Sequence, residues 1–127
     1  MNQAAISIGS NIQPQASTAA AMQRLAARLH LLKHSQFIVT KPIGRTNQAD
    51  FLNGVALVET SLDRPALEEW LKSVEVDLGR PRGGDRSGPR TIDMDVVVWN
   101  GQVVHNDVRQ RDFLRTLLKE VFPELTL

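Results

Sequence analysis

An α+β sandwich, in which helices cover an antiparallel sheet, is the fold class this sequence predicts. Three observations carry it. Several short runs alternate apolar and polar residues with period two. Two longer segments repeat apolar residues every three or four positions. The runs follow one another as strand, helix, strand, strand, helix, strand. The 127 residues suit a single domain, 1–127, with one core.

The first run, 4–8, is a short strand ended by Gly9-Ser10-Asn11. Segment 14–29 is helical. Pro14 stands near its start, where a missing N–H is tolerated, and Ala19, Met22, Leu25, Ala26 and Leu29 supply the apolar spacing. Segment 30–40, with Leu32, Phe37, Ile38 and Val39, reads as one strand, followed by a polar loop over 41–50. Residues 51–60 form the clearest strand. Ser61 or Asp63 caps the next helix, with Pro65 in its first turn and an apolar stripe of Leu67, Trp70, Leu71, Val74 and Leu78. Segment 79–90, GRPRGGDRSGPR, is too rich in Gly and Pro for regular structure. A strand over 91–99 then turns at Asn100-Gly101, a strong hairpin signal, and 113–121 closes the chain as a helix. This order is that of a ferredoxin-like βαββαβ sandwich, extended by a hairpin strand and a C-terminal helix.

Composition narrows the function classes. Hydrophobic residues make up 42% and charged residues 23%, as in an ordinary globular protein, and the net charge of +1 provides no general attraction to nucleic acid or membrane. The chain has no cysteine, which excludes disulfides, thiolate nucleophiles and Cys-based zinc sites. No apolar run reaches membrane-spanning length, and the N-terminus lacks the pattern of a secretory signal. A cytoplasmic monomer with small-molecule partners, and neither nucleic acid nor membrane, is the expectation.

Local chemistry concentrates at one place. Asp93 and Asp95 lie two apart on a strand, so both carboxylates share a face while Ile92, Met94 and Val96 point into the core. Two adjacent like charges call for a cation between them, and magnesium takes such oxygen ligands together with waters and phosphates. The bland alternative is a solvated pair on an exposed edge. Just upstream stand Arg80, Arg82, Arg86 and Arg90, fork-shaped donors for phosphate oxygens, among Gly83, Gly84 and Gly88. Arginines leading into a carboxylate pair suit phosphoryl transfer. The same loop could instead meet RNA, but without interleaved aromatics it is a poor stacking platform. Neither a P-loop nor the protein-kinase signature set is present.

With these residues in view, SIGSN at 7–11, FLNGVALVET at 51–60 and LGRPRGGDRSGPRTIDMDVV at 78–97 are similar to three blocks of the 6-hydroxymethyl-7,8-dihydropterin pyrophosphokinase family. The third block is the most specific, and the resemblance resumes over 111–125. It implies transfer of pyrophosphate from ATP, the co-substrate, to the pterin hydroxymethyl group in folate biosynthesis, with AMP released and two Mg2+ ions bridging the triphosphate. By motif match Asp93 and Asp95 are the metal ligands and lie near the attacking hydroxyl. Arg80 and Arg90 bind phosphate, and Arg82 is the arginine of a mobile loop. Thr40, Pro42 and Ile43 match a loop whose backbone meets the pterin edge, and Asn53 matches the amide that bonds the ring. Phe51 and Phe113 match the two aromatics that sandwich it, although without the resemblance both would be read as core. Glu75 and Arg111 match residues near the nucleotide.

The chain also departs from the family. The stretch VHNDVRQRDF at 104–113 is several residues shorter than usual and lacks a Pro-His pair, with His105 placed early for that role. Ser87 stands where some members carry Trp, and Lys72 where some carry Gln. Two readings follow, an active pyrophosphokinase with a shortened C-terminal region or an impaired pterin-binding homologue without a complete ATP site.

Overall fold

The computed structural model describes residues 1–44, 47–79 and 91–127. Among them the elements run Asn2–Ser10 (β1), Pro14–Arg28 (α1), His30–His34 (β2), Ile38–Thr40 (β3), Phe51–Thr60 (β4), Arg64–Asp77 (α2), Asp93–Trp99 (β5), Gln102–Val103 (β6), Asp107–Gln110 (α3) and Asp112–Val121 (α4). The strands make one six-stranded sheet in the order β2-β4-β1-β5-β6, with β3 also paired to β4, and each pairing is antiparallel. Strands β2, β4, β1 and β5, with α1 and α2 as crossovers, reproduce the expected ferredoxin-like arrangement.

Both faces of the sheet are covered. On one, Ile6, Ile8, Ala56, Val58, Met94 and Val96 pack with Ala21 and Leu25 of α1 and with Leu67, Leu71 and Val74 of α2. On the other, Ala5, Val55, Leu57 and Val98 meet Val108 of α3 and Leu114, Leu117, Leu118 and Val121 of α4. Burial on both sides explains the unbroken apolar runs 55–58 and 96–98, since neither face has water to accommodate.

The structure corrects four details. Strand β1 extends through Gly9 and Ser10 rather than stopping before them, because β4 offers it partners as far as Ser10↔Leu52. Helix α1 buries Thr18, Ala21 and Leu25, whereas Ala19 and Ala26 face solvent. The expected strand 30–40 is two strands, β2 and β3. Finally, the short helix α3 precedes the expected last helix. Its terminal carbonyls are held by Arg115, whose guanidinium donates to Val108 O at 2.8 Å and Arg109 O at 2.7 Å.

The turns behave as their residues dictate. Asn100 and Gly101 adopt φ of 48° and 82°, the left-handed values a tight hairpin requires. Asp63 caps α2 by accepting the Ala66 N–H at 2.9 Å.

Candidate active site

Sheet register assembles the site. Gly9 of β1 lies opposite Asn53 of β4 on one side and Asp93 of β5 on the other, and Ser7 lies between Val55 and Asp95 in the same way. Paired residues point to the same face, so Asn53, Gly9, Asp93 and Asp95 all face the α3–α4 side. A cleft of about 130 Å³ opens there, lined by Gly9, Asn53, Asp93 and Asp95 from the sheet floor and by Arg111 and Phe113 from above.

Its neutral end is built by a bulge. His34 pairs with Ala56 but Ile38 pairs with Asn53, so four steps along one strand match three along the other. The extra residue reverses the side-chain alternation and turns Ile38 and Thr40 toward the cleft face. Three contacts stabilise the break. Ser35 exchanges hydrogen bonds with Val55, its N–H donating to Val55 O at 2.8 Å and its Oγ accepting the Val55 N–H at 2.9 Å. The freed Gln36 N–H donates to Glu120 Oε1 on α4 at 2.7 Å. Phe37 lies over Gly54, where a Cβ would stand 2.6 Å from the ring. Thr40 thereby meets Asn53, whose Nδ2 donates to Thr40 Oγ1 at 2.5 Å. Asn53 Oδ1 leans across the strand to within 2.8 Å of where a Cβ on Gly9 would be. Phe51 and Phe113 line the same end, one from β4 and one from α4, with Ile43 beside them.

The charged end lies along the outer edge of β5. Hairpin strand β6 pairs only with Val98 and Trp99, so it does not reach Met94. Helix α2 supplies what a neighbouring strand would. Glu75 Oε2 accepts the Met94 N–H at 2.7 Å, and Lys72 Nζ donates to Met94 O at 3.1 Å. Lys72 also lies 3.2 Å from Glu75 Oε2 and 3.4 Å from Asp95 Oδ1. From the other side His105 Nε2 comes within 4.0 Å of Asp95 Oδ1. The Asp107 N–H donates to His105 Nδ1 at 3.1 Å, so in the neutral ring the proton sits on Nε2, the nitrogen nearer Asp95. Arg111 NH2 lies 3.9 Å from Asp107 Oδ1 at the cleft mouth.

Oxygen-only ligands two apart on one strand face suit a magnesium ion that keeps waters and phosphate oxygens as its remaining ligands. Asp93 and Asp95 fit that role.

A family model described as 7,8-dihydro-6-hydroxymethylpterin-pyrophosphokinase (HPPK) matches residues 5–123. The chain belongs to that family. A relative from Methylorubrum extorquens, named 2-amino-4-hydroxy-6-hydroxymethyldihydropteridine pyrophosphokinase, is 36% identical across 100% of this chain and 87% of its own length. One of the same name from Haemophilus influenzae is 32% identical across 96% of this chain and 82% of its own. A Bacillus subtilis relative, also so named, is 35% identical across 84% of this chain and 65% of its own. All three relatives carry the name of the pyrophosphokinase, and none is named as an impaired homologue.

Within this HPPK chain the structure brings together Thr40, Ile43, Phe51, Asn53, Asp93, Asp95, Arg111 and Phe113 at one cleft. Pro42 is not among the residues lining it. Glu75 is buried behind β5, 3% exposed, and holds the strand from the edge rather than facing the cleft. Arg80, Arg82 and Arg90 lie outside the described residues.

Sequence reasoning missed Gly9, Lys72 and His105. Gly9 had a legible signal, since Ser7 and Gly9 alternate with Ile6 and Ile8 as a small polar face. His105 stands too early in the chain to take the place of the family's Pro-His pair, yet the segment between β6 and α3 brings it to Asp95. Among the described residues no helix is long and apolar enough to cross a membrane.

Proposed function

We infer that this protein transfers the pyrophosphoryl group of ATP to the hydroxymethyl oxygen of 6-hydroxymethyl-7,8-dihydropterin and releases AMP. One observation carries the reading: Asn53 and the Asp93–Asp95 pair face the same cleft from either side of Gly9. Two strand spacings separate them, roughly 9–10 Å, which brings a flat bicyclic ring held at one end within reach of phosphates held at the other.

In this reading the Asn53 carboxamide offers both donor and acceptor to the ring edge, and Thr40 fixes its orientation. Phe51 and Phe113 stack on the ring faces, while the backbone near Pro42 and Ile43 closes the edge. Gly9 forms the floor beneath, where any side chain would displace Asn53. Asp93 and Asp95 would hold Mg2+, two ions in the family, which when bound neutralise phosphate charge. Arg80, Arg82, Arg90 and Arg111 serve the triphosphate, and Glu75 acts through β5. The hydroxymethyl oxygen forms its bond to the β-phosphorus as the bond from that phosphorus to the AMP oxygen breaks, and the hydroxyl proton departs to solvent or to a nearby carboxylate. Positioning and charge balance do most of this work.

The test is AMP release from ATP with magnesium, with and without the pterin. Pterin-dependent AMP is expected. Pterin binding with no AMP under any magnesium concentration would overturn the reading.

A further inference from the structure

The Lys72 ammonium already occupies the flank of Asp95 that a cation would seek. It sits among three acceptors, Glu75 Oε2 at 3.2 Å, Met94 O at 3.1 Å and Asp95 Oδ1 at 3.4 Å. Glu75 cannot follow it into solvent, because its carboxylate is buried and also accepts the Met94 N–H. Withdrawing Lys72 would separate that buried carboxylate from a cation and strip a donor from the β5 edge, both unfavourable. The ammonium is therefore a fixture of the site rather than a passing surface charge. Asp95 is 19% exposed and Lys72 38%, so their interaction is only partly screened.

We propose that Lys72 is a built-in competitor of the divalent cation at Asp95: it holds the carboxylate in place in the empty protein and weakens the pair's own affinity for metal. A positive charge beside one ligand repels a dication bound to the same ligand. The nucleotide-free protein then binds divalent metal weakly, and metal is retained once a triphosphate adds its negative charge. This rests on the reading that Asp93 and Asp95 are the metal ligands. Lys72 is a positioning residue here, acting through Asp95.

The experiment titrates nucleotide-free protein with Mn2+, reading free Mn2+ by electron paramagnetic resonance, for the wild type and for Lys72→Met, Lys72→Gln and Lys72→Arg. Both neutral variants are expected to bind Mn2+ about tenfold tighter than wild type. Lys72→Arg retains the charge and stays within about twofold of wild type. Adding Asp95→Asn to Lys72→Met removes the gain. Circular dichroism and melting confirm folding, and Lys72→Gln keeps an N–H donor for Met94 O should the Met variant fail to fold. Neutral variants that bind no tighter than wild type, while Asp95→Asn still lowers Mn2+ binding alongside a non-hydrolysable ATP analogue, overturn the role of Lys72 alone. If Asp95→Asn changes Mn2+ binding in neither background, the metal-ligand reading fails and the proposal falls with it.

Discussion

At the Asn53 end of the cleft, the functional atoms are held by sheet register, a bulge and one short hydrogen bond between neutral groups. At the Asp95 end they are held by an ammonium, a buried carboxylate and an imidazole gathered at a sheet edge that β6 does not reach. The first arrangement is rigid because moving it means slipping a ladder, and a one-residue slip would turn every side chain to the other face. The second depends on offsetting charges, so removing one member shifts the balance on the others. Recognition of a fixed flat ring belongs at the rigid end. Accommodation of a metal and a changing phosphate charge belongs at the charged one.

Substitutions can break this contrast. Asp95→Ala should have the largest effect, lowering AMP formation about a thousandfold while the melting temperature stays near wild type. Near-normal turnover in that variant would remove Asp95 from the chemistry. Glu75→Ala leaves the Met94 N–H without its acceptor, and should cost about 2 kcal/mol in a denaturant titration. A stability unchanged within error would mean that β5 does not need the α2 clamp.

At the rigid end, Gly9→Ala places a Cβ 2.8 Å from Asn53 Oδ1 and forces the carboxamide aside. The pterin KM should rise about tenfold with little change in the KM for ATP. Equal effects on both substrates would show that the two ends are not separable. The smallest effect comes from salt. Raising NaCl from about 50 to 500 mM should weaken ATP binding several-fold but shift pterin binding by less than about twofold, measured by calorimetry.

Much of this is legible in the sequence. Period two alone separates Asp93 and Asp95 from the core residues Ile92, Met94 and Val96, and the last three are 0–3% exposed. Asn100-Gly101 announces its hairpin because so few residues tolerate positive φ in succession. The bulge at 35–37 was not legible. Its stabilising partners, Val55 on β4, Gly54 beneath Phe37 and Glu120 on α4, lie far away in the sequence. Read locally, 30–40 is simply a strand. Likewise Lys72 looks like a solvated helix residue until β5 is laid beside α2.

By itself, then, the sequence determined the order of the main strands and helices and the shared face of the aspartates, because short-range periodicity and turn chemistry encode these. Only tertiary structure decided which way Thr40 points, that Gly9 must stay bare beneath Asn53, and that Lys72 and His105 flank Asp95. Each of those depends on register between strands or on helices meeting a sheet edge. No local pattern carries that information, because the residues concerned become neighbours only when the chain closes on itself.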